Sequence, residues 1–236
     1  MSKILISCLS LFLAVTIANA EHTYEELELA DGTSLRYALV LPRDFDPEQT
    51  YPALLALPPG PQSEGMVEAG LSRYWGRLAA DAGWLVVSPV APGGTLFFRG
   101  SEHHIPELLA QIRASYRVEG DQFHLAGSSN GGLSAFRVML DYPDDFLSLL
   151  ALPGFPPEDS DFDHLERLTG KPVRLFVGGE DHRWIAPMER AQSLLENMEE
   201  DVEFTVLPGE GHVPPSLDGG RFMAELAAVR AVLTRE

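Results

Sequence analysis

From residue 52 onward, the apolar residues of this chain fall into short unbroken runs, separated by stretches in which every third or fourth position is apolar. The runs are Ala53 to Leu57, Trp84 to Val90, Phe123 to Gly127, Phe146 to Leu152, Val173 to Val177 and Val202 to Leu207. Their length and lack of alternation predict strands buried on both faces, as in a parallel sheet covered by helices. Between them, helical spacing predicts helices over 65–82, 102–118, 131–142, 185–198 and 217–233. In the second of these, Ile105, Leu108, Leu109 and Ile112 form one stripe that would pack on a sheet. Tyr24 to Leu41 has a different grammar: two strands turned at Asp31-Gly32, with only partial alternation, as expected at a sheet edge. The fold class expected is α/β, a three-layer, mostly parallel sheet opened by an antiparallel N-terminal hairpin.

The first twenty residues stand outside this pattern. A short positive start, an apolar stretch from Ile4 to Ile17 and the small-residue pattern Ala18-Asn19-Ala20 read as a signal peptide cleaved near Ala20. The stretch is shorter than the ~20 apolar residues that span a bilayer. Residues 21–236 then form one domain, secreted or periplasmic and without a membrane anchor. The single cysteine, Cys8, lies inside the leader, so no disulfide or thiolate site is expected beyond it. A net charge of −18 argues against nucleic acid or anionic lipid as partner. A small-molecule partner remains.

In sheets of this kind, ligands bind beyond the carboxyl ends of the strands. The run ending at Ala126 continues as Gly127-Ser128-Ser129-Asn130-Gly131-Gly132 and then becomes helical. This is G-x-S-x-G between strand and helix, a turn so sharp that the residues two positions either side of its serine must be small. Ser129 has glycine at both; Ser128 has Ala126 and Asn130, so Ser129 is the candidate nucleophile. The same turn offers the Asn130 N–H, at a helix N-terminus, to developing negative charge. A hydroxyl nucleophile needs a base, and the base an orienting acid. Gly178-Gly179-Glu180-Asp181 ends one later run and Pro208-Gly209-Glu210-Gly211-His212 ends the next, placing an acid and a histidine in serine–acid–histidine order. Glu180, or Glu158 or Asp159 after the preceding run, are alternatives for the acid.

On Gly127 to Leu133, Gly178 to Asp181 and Gly209 to His212, the chain resembles the α/β-hydrolase superfamily, within it the secreted esterases and the catalytic domain of prolyl-oligopeptidase-like proteins. The strand–helix order carries the likeness from about Ser34 to Leu233. The resemblance implies a Ser129–His212–Asp181 triad, an acyl-enzyme on Ser129, no cofactor and no metal. Little sequence is left over for a large lid.

Two features depart from that pattern or extend it. The second oxyanion donor should come from the loop after Leu57, which commonly begins His-Gly in such proteins and here reads Pro58-Pro59-Gly60-Pro61-Gln62. Proline has no N–H, so Gly60 or Gln62 is the donor expected. Phe97, Phe98 and Arg99, in the loop after Val90, and Trp184, three residues past Asp181, are expected around the substrate. His103-His104 beside Glu102 suggests a metal site, but their adjacency on a helix start argues against both rings meeting one ion, so they are read as helix-cap or pocket residues. The expected activity is cleavage of carboxylic esters. The alternatives are a peptidase acting on short peptides and a binding protein on the same fold, weakened by its proline-rich loop.

Overall fold

The computed structural model describes residues 22–234; the expected signal segment, residues 1–20, lies outside them. Eight strands form one sheet in the order β1-β2-β4-β3-β5-β6-β7-β8. β1 (Thr23–Glu28) and β2 (Ser34–Val40) make the N-terminal hairpin, and β2 continues antiparallel to β4 (Leu85–Pro89). β3 (Ala53–Leu57), β5 (Phe123–Gly127), β6 (Phe146–Ala151), β7 (Val173–Gly178) and β8 (Val202–Leu207) join β4 in a parallel array.

The central strands read as unbroken apolar runs because both of their faces are covered. Leu55 and Leu57 of β3 enter one core and Leu54 and Ala56 the other. α3 (Ile105–Ser115), α4 (Asn130–Asp141) and α6 (His182–Asn197) supply the first core, through residues such as Leu108, Phe136 and Met188. α1 (Glu64–Gly70), α2 (Arg77–Asp81) and α7 (Gly219–Leu233) close the second, in which Trp75 and Phe222 pack edge to face with centroids 5.7 Å apart. α5 (Asp159–Phe162) is a short turn whose first residues are capped by Glu158 and Asp161.

Two expectations are corrected. β8 is the sheet's last strand, and its residues before Leu207 are exposed or half-buried, so its apolar run does not mark burial on both faces. The helix expected over 65–82 is broken: it widens into a π turn over Leu71–Trp75 and kinks at Gly76 (φ −89°, ψ −109°). A Cβ on Gly76 would lie 2.5 Å from the Leu71 carbonyl oxygen, and one on Gly70 would lie 2.6 Å from the Trp75 indole. The kink thus seats the indole against the preceding turn. Among the described residues no helix is long and apolar enough to cross a membrane.

Candidate active site

Ser129 sits between β5 and α4 with φ 57° and ψ −121°, a strained conformation for a residue with a side chain. The surroundings hold it there. A Cβ on Gly127 would stand 2.0 Å from the Gly131 carbonyl oxygen, and one on Gly131 2.0 Å from that of Leu57. Gly132 is equally constrained, 2.0 Å from the Pro153 oxygen by the same construction, a requirement that the five-residue motif does not contain. The Ser129 N–H donates to the Pro153 carbonyl at 2.9 Å. Ser128 is buried, and its hydroxyl donates to the Leu152 carbonyl at 2.7 Å, which ties it to the sheet.

Ser129 Oγ lies 2.8 Å from His212 Nε2, and His212 Nδ1 lies 2.6 Å from Asp181 Oδ2. The backbone explains how three distant segments meet. The Gly179 N–H donates to the Leu207 carbonyl at 2.7 Å and the Glu180 N–H to that of Glu210 at 2.8 Å, stitching the loop after β7 to the loop after β8. Gly178 permits this approach, because a Cβ there would fall 2.1 Å from the Gly211 oxygen. The alternative acids are placed elsewhere: Glu180 is exposed and points no oxygen at His212, Glu158 caps α5, and Asp159 pairs with Arg190 at 2.6 Å.

The loop after β3 differs from expectation. Gln62 is fully buried, so it cannot meet a substrate. Its side-chain amide donates to Ser134 Oγ at 2.9 Å, its side-chain oxygen accepts from the Phe97 N–H at 2.9 Å, and its carbonyl accepts from the Ala91 N–H at 2.8 Å. Its own N–H closes a turn onto the Pro59 carbonyl at 3.1 Å. Gln62 is therefore a bracket between α4 and the loop after β4, and as a donor to substrate it is withdrawn. Gly60 is half-buried, and its carbonyl accepts from the Asn130 side-chain amide at 2.8 Å, a bond that fixes the loop against the start of α4. As the first residue of α4, Asn130 leaves its backbone N–H without an intrahelical acceptor.

The pocket expectation is corrected in part. Phe97 is fully buried in the core, so it is not free to line a substrate site, whereas Phe98 is 9% exposed. Arg99 is exposed and stacks over Phe98, 5.2 Å from its centroid. Trp184 does flank the site, with its ring 5.0 Å from that of His212. Behind it stands Phe155, edge-on to Trp184 at 5.1 Å, a residue that sequence reasoning missed. Phe155 follows the carboxyl end of β6, and that position was the available signal. His103 and His104 lie in a 3₁₀ turn that precedes α3, with His104 at the N-cap position of that helix and the two rings 3.8 Å apart.

With this geometry in view, the comparisons are decisive about kinship. The model of the esterase family, described as "Putative esterase", matches residues 30–221. The chain belongs to the esterase family. It is accordingly a hydrolase of the α/β-hydrolase superfamily. Dipeptidyl-peptidase 5 of Porphyromonas gingivalis is 27% identical over 145 residues, 54% of this chain and 20% of that protein, so this chain spans only a fifth of its relative's length. Among solved structures, a thermostable esterase superposes with a TM-score of 0.73 at 13% identity, covering 88% of this chain and 63% of that one. A ferulic acid esterase gives 0.68 at 19% identity, covering 89% and 97%. At such identities these two structures speak for the fold alone.

Proposed function

We propose that this esterase-family chain is a serine hydrolase that cleaves carboxylic esters through an acyl-enzyme on Ser129. The observation that carries the proposal is the continuous line Ser129 Oγ–His212 Nε2–His212 Nδ1–Asp181 Oδ2, with links of 2.8 and 2.6 Å. Asp181 holds Nδ1 protonated and leaves Nε2 free to accept the serine proton. Ser129 Oγ attacks the acyl carbon, and His212 receives its proton and passes it to the departing alcohol. Water, deprotonated by the same imidazole, then releases the acid and restores the serine. The negative oxygen of each tetrahedral intermediate is met by the Asn130 N–H at the start of α4. The second donor is the Gly60 N–H, since Pro61 has none and Gln62 is enclosed. Trp184 and Phe155 form the apolar wall beside the imidazole, against which an acyl or aryl group packs.

The composition of residues 1–20 supports export, with removal near Ala20 leaving a secreted or periplasmic enzyme. A second reading, hydrolysis of short peptides, is favoured by the likeness to Dipeptidyl-peptidase 5. A fluorophosphonate probe is expected to label the purified protein once, on Ser129, and Ser129→Ala to lose both labelling and turnover of p-nitrophenyl acetate. Labelling that persists in Ser129→Ala rejects the assignment. Comparison of kcat/KM on short acyl esters and on dipeptide anilides separates the two substrate classes.

A further inference from the structure

The turn between β1 and β2 brings Asp31 against His103 and His104, which lie some seventy residues later in the sequence. Asp31 Oδ2 is 3.9 Å from His103 Nε2 and 3.9 Å from His104 Nδ1, and the three donor atoms all lie within 4.8 Å of one another. At 3.9 Å these contacts are too long to be hydrogen bonds. They are close to the spacing of ligands around one ion, since donors about 2.0–2.2 Å from a tetrahedral zinc stand roughly 3.3–3.6 Å apart. The two 3.9 Å contacts need a contraction of roughly 0.3–0.6 Å and the imidazole pair one of up to about 1.5 Å to close the set, within the reach of side-chain rotation. The carboxylate is already oriented for this: its other oxygen accepts from the Thr33 N–H at 2.8 Å, which leaves Oδ2 directed at the imidazoles.

We propose that Asp31, His103 and His104 bind a divalent transition-metal ion of the zinc type, independently of the hydrolytic site. Two imidazole nitrogens and one carboxylate suit zinc, cobalt, nickel or copper, whereas calcium and magnesium favour all-oxygen sets. A fourth position is left to water, and a surface groove lined by Thr33, Ser34, Pro92, Thr95 and Ser101 adjoins His104. The ion joins the hairpin turn to the start of α3. It thereby clamps the far end of the 91–101 loop, whose near end is held by Gln62.

The experiment uses tag-free, chelator-treated protein titrated with zinc chloride by calorimetry, with cobalt absorption as the second readout. The expected result is one zinc per chain, tetrahedral cobalt bands, and a raised melting temperature in zinc but not in magnesium or calcium. His103 and Asp31 are exposed, with side chains 60% and 50% accessible, so His103→Ala and Asp31→Ala leave the fold intact, as circular dichroism will verify. Each variant is expected to weaken zinc binding by at least about tenfold, and the pair together by on the order of 100-fold or more. Absence of stoichiometric zinc binding, zinc affinity unchanged in both variants, or equal binding of calcium each overturns the proposal. None of these readouts depends on ester turnover.

Discussion

Gln62 offers a direct contest between two roles for one side chain. As an oxyanion donor it would matter to chemistry; as the buried bracket described above it matters to stability. Gln62→Leu keeps most of the volume and removes both side-chain hydrogen bonds. The Phe97 N–H, in the interior, then loses its acceptor, at a cost of about 1–3 kcal/mol for an orphaned buried donor. Ser134 suffers less, because its hydroxyl still donates to the Asn130 carbonyl at 2.9 Å. The net loss is expected near 2–3 kcal/mol, which for a domain of this size lowers the melting temperature by roughly 4–12 °C. Urea denaturation of wild type and variant measures the loss, and turnover of p-nitrophenyl acetate well below the transition measures the chemistry. Folded Gln62→Leu is expected to keep kcat within about tenfold, whereas removal of an oxyanion donor costs about 10²–10³ in rate. A variant with unchanged denaturation midpoint and a hundredfold fall in kcat would falsify the bracket and return Gln62 to the oxyanion hole.

Three further outcomes follow from the geometry. Gly131→Ala, whose Cβ would meet the Leu57 oxygen at 2.0 Å, is expected to destabilise by at least about 3 kcal/mol. Gly120→Ala, at positive φ (63°) but with open space around the Cβ, should cost only about 1–2 kcal/mol; equal losses in urea melts would contradict the close-approach argument. Asp181→Asn is expected to lower kcat on p-nitrophenyl acetate by about 10³–10⁴-fold with KM little changed, and a larger loss in Glu180→Gln would move the acid by one residue. His124 is buried beneath Trp84, and burial lowers its pKa from 6.5 to about 4. Below pH 6.5 the unfolded chain takes a proton that the folded one refuses, so stability falls as pH drops from about 6.5 to 4, by roughly 2 kcal/mol between about pH 7.5 and 5. Urea titrations of wild type and His124→Gln at the two pH values test this, the prediction being that the variant loses that part of the slope.

Much of the fold was legible because burial on both faces leaves a direct trace in sequence. β5 and β3 have the boundaries that their apolar runs indicated, and the order of strands and helices led to a mostly parallel sheet. Where legibility failed, the cause was a contact between distant residues. The composition of β8 is apolar enough for the interior, yet no strand lies beyond it, and only the sheet order reveals that. Helical periodicity persists through residues 65–82 although Gly76 interrupts the backbone, since periodicity records which positions are buried and not whether the turns are continuous. Ser129, His212 and Asp181 could be singled out because each ends its own strand at the same rim. The occupation of Gln62 could not be foreseen, because all of its side-chain partners lie thirty or more residues away.

The aromatic wall shows the same limit from another side. Phe97 and Phe98 follow the carboxyl end of β4, Phe155 that of β6, and chain order gives no reason to prefer either loop. Spatial order does. β3 lies between β4 and β5, whereas β6 lies between β5, which leads to Ser129, and β7, which leads to Asp181. With strands about 4.8 Å apart, a loop leaving β6 emerges between the serine and the acid. A loop leaving β4 emerges about two strand spacings to the far side of the serine, away from the imidazole. Phe155 therefore meets Trp184, and Trp184 meets His212, while Phe97 is drawn into the core by the Gln62 bracket. The residues that chain order brings to the rim become neighbours of Ser129 only through the sheet permutation, which places β6 beside β5 and β4 one strand further away.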